Sequence, residues 1–254
     1  MTPALGSLLA AAVAWVAVHI GVAGTRLRDR LVARIGEGPF RGLFVVASFA
    51  ILGWLGWSFA AAGPVQGLWV APRWLAVLMM LLMLPALLLF VGSLTTPNPT
   101  SVTGARALEA ANPAAGVLRI TRHPMLWAFA VWGAVHLVVI GTLSMAILAG
   151  AIIVTALAGM PSLDAKYARR RPDRWPAFAA VTSRLPFAAI LQGRNHLVGS
   201  EIGWWRPLLA GAMDWIDRVA SVGIRGRSRP LFPLTRISFA ALIRNPGRRS
   251  LPSR

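Results

Sequence analysis

The sequence predicts an all-α fold, a polytopic transmembrane helical bundle, from its composition and its charge distribution. Of the 254 residues, 56% are hydrophobic and 13% are charged, whereas soluble globular domains carry roughly 25% charged residues. The mean hydropathy is +0.63. Basic residues number 26 and acidic residues 8, a net charge of +18, so the basic side chains must lie outside long apolar segments. This composition excludes an ordinary soluble enzyme.

Five apolar stretches have the length of a transmembrane helix. About 20 apolar residues in an α-helix cross the hydrocarbon core, which is about 30 Å thick. The predicted spans are Ala4 to Ala23, Leu43 to Ala62, Trp74 to Leu94, Met125 to Ile140 with its flanks, and Leu143 to Leu163. We expect the first span to be retained rather than cleaved as a signal peptide, because no basic region precedes it.

A sixth stretch, Trp204 to Val222, also has spanning length but carries two acidic and two basic residues. Each charge at the bilayer centre costs about 2.5–3.5 kcal/mol on insertion scales. The sequence therefore leaves a sixth span open.

The loops between the predicted spans give an orientation, because short basic loops stay on the cytoplasmic side. The loop from Gly24 to Gly42 carries five arginines, whereas the loop from Gly63 to Arg73 carries one. This alternation predicts a multi-pass protein of the bacterial inner membrane with its N-terminus outside. The positive charge is expected to meet the anionic headgroups of the lipid bilayer. No nucleic-acid-binding motif is present, so we expect no nucleic-acid partner.

Two segments follow the five spans. Pro172 to Asn195 predicts an interfacial helix on the cytoplasmic leaflet, with Asp173 as its N-cap and Phe178 on its apolar side. Residues 207–254 form a basic stretch, rich in arginine and proline towards its end, which predicts a disordered tail. The expected organisation is an integral membrane domain over residues 1–206 followed by this tail.

Histidines are the candidate ligands of this sequence. It contains no cysteine, which excludes disulfides, thiolate nucleophiles and cysteine-based metal sites. His19 and His136 lie inside different predicted spans, where a neutral imidazole has a donor and an acceptor that lipid cannot satisfy. Two such histidines on separate helices favour bis-imidazole coordination of a haem iron.

His123 lies at the start of the fourth predicted span, in the sequence Thr121-Arg122-His123-Pro124. Arg122 beside it can clamp a carboxylate or a phosphate with two hydrogen bonds. His136 follows 13 residues later, which is roughly 20 Å along a helix, so His123 and His136 cannot bind one iron. Depth in the membrane mildly favours a pairing of His19 with His123.

Several short segments resemble the NnrU family of bacterial membrane proteins. They lie between residues 1 and 206 and comprise Ala17-Val18-His19, Gly38 to Phe44, Thr121 to Trp127, His136-Leu137, Ser183 to Phe187, Gln192 to Asn195 and Glu201 to Arg206. The family is linked to denitrification, in the expression of nitrite and nitric oxide reductases. It is similar to the plant 15-cis-zeta-carotene isomerase, a haem b membrane enzyme.

The resemblance implies a cofactor, a substrate and roles for four residues. It implies haem b with His19 and His136 as the ligands of the iron, in conflict with the depth argument, and catalytic roles for His123 and Arg122. It also implies a haem-dependent cis-trans isomerase with a hydrophobic polyene substrate.

Two other functions stay open. Membrane methyltransferases that use S-adenosylmethionine also carry an Arg-His-Pro motif near a helix start. Their paired glutamates are missing here, and Asp164 alone lies near that place. The second alternative is a non-enzymatic membrane factor that assists the assembly or expression of denitrification enzymes.

Overall fold

The computed structural model describes residues 2–64, 67–100, 104–110, 112–203 and Gly211. The chain divides into a compact unit, Met1–Ala210, and a second unit, Gly211–Arg254, of which only Gly211 is described. Eight α-helices occur in the described residues: α1 Pro3–Val16, α2 Arg26–Ile35, α3 Glu37–Ala62, α4 Arg73–Thr95, α5 Pro124–Ile140, α6 Leu143–Arg170, α7 Trp175–Val181 and α8 Ala188–Leu191. The all-α prediction is confirmed.

The helix ends follow from local sequence. The Thr2 hydroxyl accepts a hydrogen bond from the backbone N–H of Leu5 at 3.3 Å and so caps α1, and the Thr142 hydroxyl caps α6 in the same way at Met145. Between α5 and α6, Gly141 adopts a φ of +55°. A Cβ atom there would lie 2.2 Å from the carbonyl oxygen of Trp69. The turn therefore requires glycine, both to adopt this backbone conformation and to leave room for Trp69.

Helix α6 is the centre of the bundle. It packs against α1 and α3 on one side and against α5 on another, and α5 in turn packs against α4. Small residues allow these close approaches: a Cβ at Gly133 of α5 would lie 2.7 Å from Ile153 Cγ1 of α6. Close packing of this kind is the main attraction between helices in lipid, where apolar burial adds little.

Four helical segments are long and apolar enough to cross a membrane: Pro3–Val22, Glu37–Ala62, Arg73–Thr95 and Leu143–Arg170. Their outward faces carry exposed apolar side chains such as Val46, Phe49 and Trp57, which fits a lipid bilayer. Helix α5 is apolar but has 17 residues, about 26 Å of helix. A count of five spans therefore stays a prediction. The sixth stretch, residues 204–222, and the tail, residues 207–254, lie outside the described residues apart from Gly211.

The segment expected to form an interfacial helix packs part of its surface against the rest of the protein. It forms α7 and α8, and α7 begins at Trp175 with Arg174 rather than Asp173 at the N-cap. Phe178 is buried, and the Trp175 ring stacks on Tyr167 of α6 with ring centroids 5.4 Å apart. Of the residues expected on the apolar side, Phe178 and Thr182 are buried, whereas Val181 and Leu185 are exposed.

Candidate functional site

A cavity of about 770 Å³ opens between the helices. It follows α6 from Thr155 to Arg170, about 22 Å of helix axis. Its lining includes His19, Ile20, Gly24, Arg28, Phe40, Phe44, Leu94, His123, Leu126, Thr155, Gly159, Leu163 and Lys166. Among the histidines predicted as ligands, His19 and His123 therefore share one cavity, and His136 lies outside its lining.

His19 enters the cavity from the end of the first span. Helix α1 widens there into a π-helical segment, Ala17–Val22, a distortion common at functional sites. The Nδ1 atom of His19 lies 2.9 Å from the carbonyl oxygen of Trp15. A carbonyl only accepts, so Nδ1 carries the hydrogen and Nε2 keeps its lone pair. The nearest polar neighbour of Nε2 is the Ser48 hydroxyl, at 3.5 Å.

The end of the π-helical segment approaches α6 closely. The Ser162 hydroxyl donates a hydrogen bond to the carbonyl of Gly24 at 2.9 Å. A Cβ at Gly24 would lie 2.7 Å from the same hydroxyl oxygen. Glycine at this position therefore lets the His19 segment lie directly against α6.

His123 reaches the cavity through a buried ionic cluster. Its Nε2 atom lies 2.8 Å from Asp164 Oδ1, and its side chain is 0% exposed. The Arg122 guanidinium donates two hydrogen bonds to the same carboxylate, at 3.0 and 2.7 Å. Arg184 lies 3.2 Å from Asp164 Oδ2. The predicted bidentate clamp of Arg122 thus holds a carboxylate of the protein itself, and Arg122 lies outside the cavity lining.

The cluster also sets the state of the His123 ring. Burial lowers the pKa of His123 below its ordinary value, and the hydrogen bond with Asp164 offsets only part of that effect. A neutral ring that donates from Nε2 to the carboxylate keeps a lone pair on Nδ1. This Nδ1 atom is buried and has no hydrogen-bond partner among the described residues.

His136 lies in the interior of α5, away from this cluster. Its Nδ1 atom is 2.8 Å from the carbonyl oxygen of Trp132, and the two rings are 4.3 Å apart. The local arrangement repeats that of Trp15 and His19, whose rings are 4.0 Å apart. At about 20 Å along the axis, His136 and His123 occupy opposite ends of α5.

A second ion pair fixes the turn that leads to His123. Arg119 in the 3₁₀ turn Gly116–Arg119 donates to both carboxylate oxygens of Glu201, at 2.7 and 2.8 Å. The backbone N–H of Gly116 donates to Glu201 as well, at 2.7 Å. The hydrogen bond from Arg119 lowers the pKa of Glu201 to about 2. Sequence segments 80 residues apart are thereby joined beside the site.

The importance of Asp164 was not apparent from the sequence, where it served only to weigh the methyltransferase alternative. A signal was available, because Asp164 interrupts the apolar pattern of α6, and an acidic residue on a spanning helix usually has a partner. Which partner it has depends on the tertiary structure, which brings residues 122, 123 and 184 to it.

Comparisons with known proteins agree with the resemblance seen in the sequence. The chain is 35% identical over 82 residues to "15-cis-zeta-carotene isomerase, chloroplastic" of Arabidopsis thaliana. This similarity covers 32% of the chain and 22% of that protein. No solved structure matches the chain. The sequence profile described as NnrU protein matches residues 7–217, most of the chain, which therefore belongs to the NnrU family.

Proposed function

We propose that this chain is an NnrU-type protein of the bacterial inner membrane that binds haem b in the cavity, where His19 and His123 would hold the iron. His136, which the resemblance implies as the second ligand, is the alternative partner of His19. The observation that carries the proposal is the unpartnered Nδ1 atom of His123, which belongs to a fully buried side chain that lines the same cavity as His19.

The residues of the cavity fit such a group. Four buried side-chain polar atoms in the described part of the chain lack a hydrogen-bond partner: His123 Nδ1, Arg28 Nη1, Thr155 Oγ1 and Trp15 Nε1. The first three belong to residues that line the cavity, and the Trp15 ring lies 4.0 Å from the ring of His19. Buried polar groups without partners are rare in proteins. Their concentration around one cavity supports a bound ligand that would supply the missing partners.

Both histidines are also oriented as metal ligands usually are. A metal-bound histidine commonly donates its other N–H to a carbonyl or a carboxylate, which fixes the ring and its tautomer. Trp15 provides the carbonyl for His19, and Asp164 provides the carboxylate for His123. Arg122 acts as a positioning residue, because it holds Asp164 rather than reaching into the cavity.

The walls of the cavity suit an apolar substrate next to the histidines. Phe40, Phe44, Leu94 and Leu126 line it, and side chains of this type would contact a hydrophobic polyene. When bound, haem b would supply a redox-active iron centre. We accordingly propose either an isomerase-like activity on a polyene or a role in nitrite and nitric oxide metabolism.

The test is the optical spectrum of the detergent-purified protein from haem-replete cells, oxidised and reduced, beside three variants. We expect the wild type to show the Soret band of a low-spin bis-histidine haem. His19→Ala and His123→Gln should lose that spectrum, whereas His136→Ala should keep it. Glutamine retains a donor for Asp164, so His123→Gln separates loss of the ligand from loss of the cluster.

The other outcomes identify the alternatives. Loss of the spectrum in His136→Ala but not in His123→Gln would assign the iron to His19 and His136. A wild-type protein with no Soret band, even after reconstitution with haem, would contradict the haem proposal. Saturable binding of S-adenosylmethionine by that colourless protein would support the methyltransferase alternative instead. Function retained after all three histidines are replaced would support the non-enzymatic factor.

A further inference from the structure

One end of the cavity is basic, and the proposed function leaves that end unexplained. Arg28, Arg41, Lys166, Arg170 and Arg171 line it, and the described lining contains no acidic residue. The four arginines form ion pairs with carboxylates outside the lining. Arg28 and Arg41 share Glu37, at 2.5 and 2.9 Å, and Arg170 lies 3.1 Å from Asp29.

Lys166 is the exception in this group. No carboxylate of the described residues lies within ion-pair distance of its ammonium, whose recorded contact is with the Tyr167 ring, 5.3 Å from the centroid. Lys166 is half-buried and is the only lysine of the sequence. An ammonium in such a place loses hydration without forming an ion pair, because the carboxylates of Glu37 and Asp29 act on it only from beyond ion-pair distance. A bound anion would supply the ion-pair partner.

Arg28 offers a second free donor at the same end. Its side chain is 8% exposed and is held on Glu37 through Nη2. The other terminal nitrogen, Nη1, lies 3.5 Å from Asp29 Oδ1 but makes no hydrogen bond. Lys166 and Arg28 together present unused N–H groups beside one cavity, an arrangement that suits a carboxylate.

The remainder of the cavity is mostly apolar, apart from His19, His123 and a few Ser, Thr and Asn side chains. From Lys166 it continues along α6 past Leu163 and Gly159 to Thr155, about 16 Å of helix. A ligand that fills the whole cavity must therefore have an anionic end and a large apolar body.

We propose that the cavity binds an amphipathic carboxylate, with its acidic group on Lys166 and Arg28 and its apolar body between α3, α5 and α6. Two sources share this chemistry: the propionates of the haem in the proposed function, and the carboxylate of a long acyl chain. The inference rests on the proposed function only for the first source.

The experiment compares each acid with its uncharged ester in phosphatidylcholine nanodiscs. One arm titrates haem b and haem dimethyl ester by absorbance. The other arm titrates the fluorescent fatty acid cis-parinaric acid and its methyl ester. The test variant is Lys166→Met, which retains the apolar stem. The matched control is Arg169→Met, which removes one exposed charge of the same helix outside the cavity lining.

In at least one arm we expect Lys166→Met to bind the acid about tenfold more weakly than the wild type, the effect of one lost charge-assisted hydrogen bond. Binding of the ester should be unchanged, and Arg169→Met should behave as the wild type. Gly159→Phe tests the apolar end: a Cβ there has ordinary contact with Leu126 at 3.5 Å, so the larger ring should fill the cavity and weaken acid and ester alike.

The arms separate this inference from the haem proposal. One outcome is a protein that binds parinaric acid in a Lys166-dependent way but binds neither haem nor its ester. This result would support a carboxylate site at Lys166 and would overturn the haem proposal alone. If wild type and Lys166→Met bind both acids with equal affinity, the carboxylate site at Lys166 is overturned, whatever the haem spectrum shows. An equal loss of acid and ester binding in Lys166→Met, with an unchanged melting temperature, overturns it as well.

Discussion

The first span and α5 carry the same local motif, a tryptophan four residues before a histidine. In both, the histidine Nδ1 lies close to the tryptophan carbonyl, at 2.9 Å for His19 and 2.8 Å for His136. The interplanar angles of the ring pairs are 33° and 30°. Yet His19 lines the large cavity and His136 does not. The comparison shows that local sequence sets the tautomer of a histidine, whereas its neighbours decide what it can bind.

The surroundings of the two motifs explain the difference. His19 lies on a π-helical segment, and Gly21, two residues later, has no atom within 4 Å of a built Cβ. His136 lies on a regular helix that is pressed against α6 at Gly133. Of the cluster around Asp164, His123 also lines this cavity. Variants that alter the surroundings of one motif at a time should therefore change the stability of the protein by unequal amounts.

Replacing Asp164 with alanine should have the largest effect. The substitution leaves the buried His123 and the partly buried Arg122 without their carboxylate, and breaking a buried pair costs about 3–5 kcal/mol. Thermal or chemical unfolding in detergent measures the loss. The control is Asp173→Ala, an exposed residue with ion pairs of 3.4 and 3.8 Å, which should leave the stability nearly unchanged. Equal stability of the two variants would contradict the role given to the cluster.

Overpacking α5 against α6 should have the next largest effect. Gly133→Leu would place atoms into Ile153 and against the Ala149 carbonyl, 3.2 Å from the built Cβ. We expect a destabilisation of about 2 kcal/mol, measured by the same unfolding experiment. The matched control in the other motif is Gly21→Leu, which enters open space and should change stability by less than about 0.5 kcal/mol. If Gly133→Leu is as stable as the wild type, α5 and α6 are less tightly packed than the structure shows.

The ion pair of Glu201 should give a smaller effect that depends on pH. The pKa of Glu201 is lowered from 4.5 to about 2. Its contribution is therefore fully present above 4.5 and is lost as the pH falls towards 2. At about pH 6 we expect Glu201→Gln to be less stable by about 1–2 kcal/mol, a value reduced for partial exposure.

At about pH 3 the difference between wild type and Glu201→Gln should narrow. The unfolding free energies of both proteins, measured over this pH range, check the sign. Glu109→Gln, an exposed residue that pairs with Arg171 at 3.5 Å, is the control. A difference in unfolding free energy that widens as the pH falls would contradict the lowered pKa of Glu201.

The contact between Ser48 and His19 should have the smallest effect. At 3.5 Å it lies at the outer limit of a hydrogen bond, so Ser48→Ala should change the unfolding free energy by less than about 0.5 kcal/mol. Ser58→Ala is the matched control, because the buried Ser58 hydroxyl lies 2.8 Å from that of Ser7. Its loss should cost about 1 kcal/mol. A larger loss for Ser48 would show that this serine fixes the His19 ring.

Parts of the fold and the site followed directly from the residues. Uncharged runs identified four helices that can span a membrane, and Pro124 is the first residue of α5 because its missing N–H costs nothing there. The apolar role of Phe178 in α7 was also predicted. That Phe178 and Trp175 pack beside Tyr167 of α6 was not, since periodicity cannot say whether lipid or another helix covers an apolar side.

The sequence by itself determined where helices form, which family the chain resembles and which histidines lie inside apolar segments, because these properties depend on neighbours a few residues apart. Only the tertiary structure decided that His19 and His123 share a cavity, that Asp164 holds His123 and Arg122, and that Lys166 lies among arginines that are already paired. These contacts join residues tens of positions apart. They depend on how the helices pack, and helix packing is a property of the whole bundle.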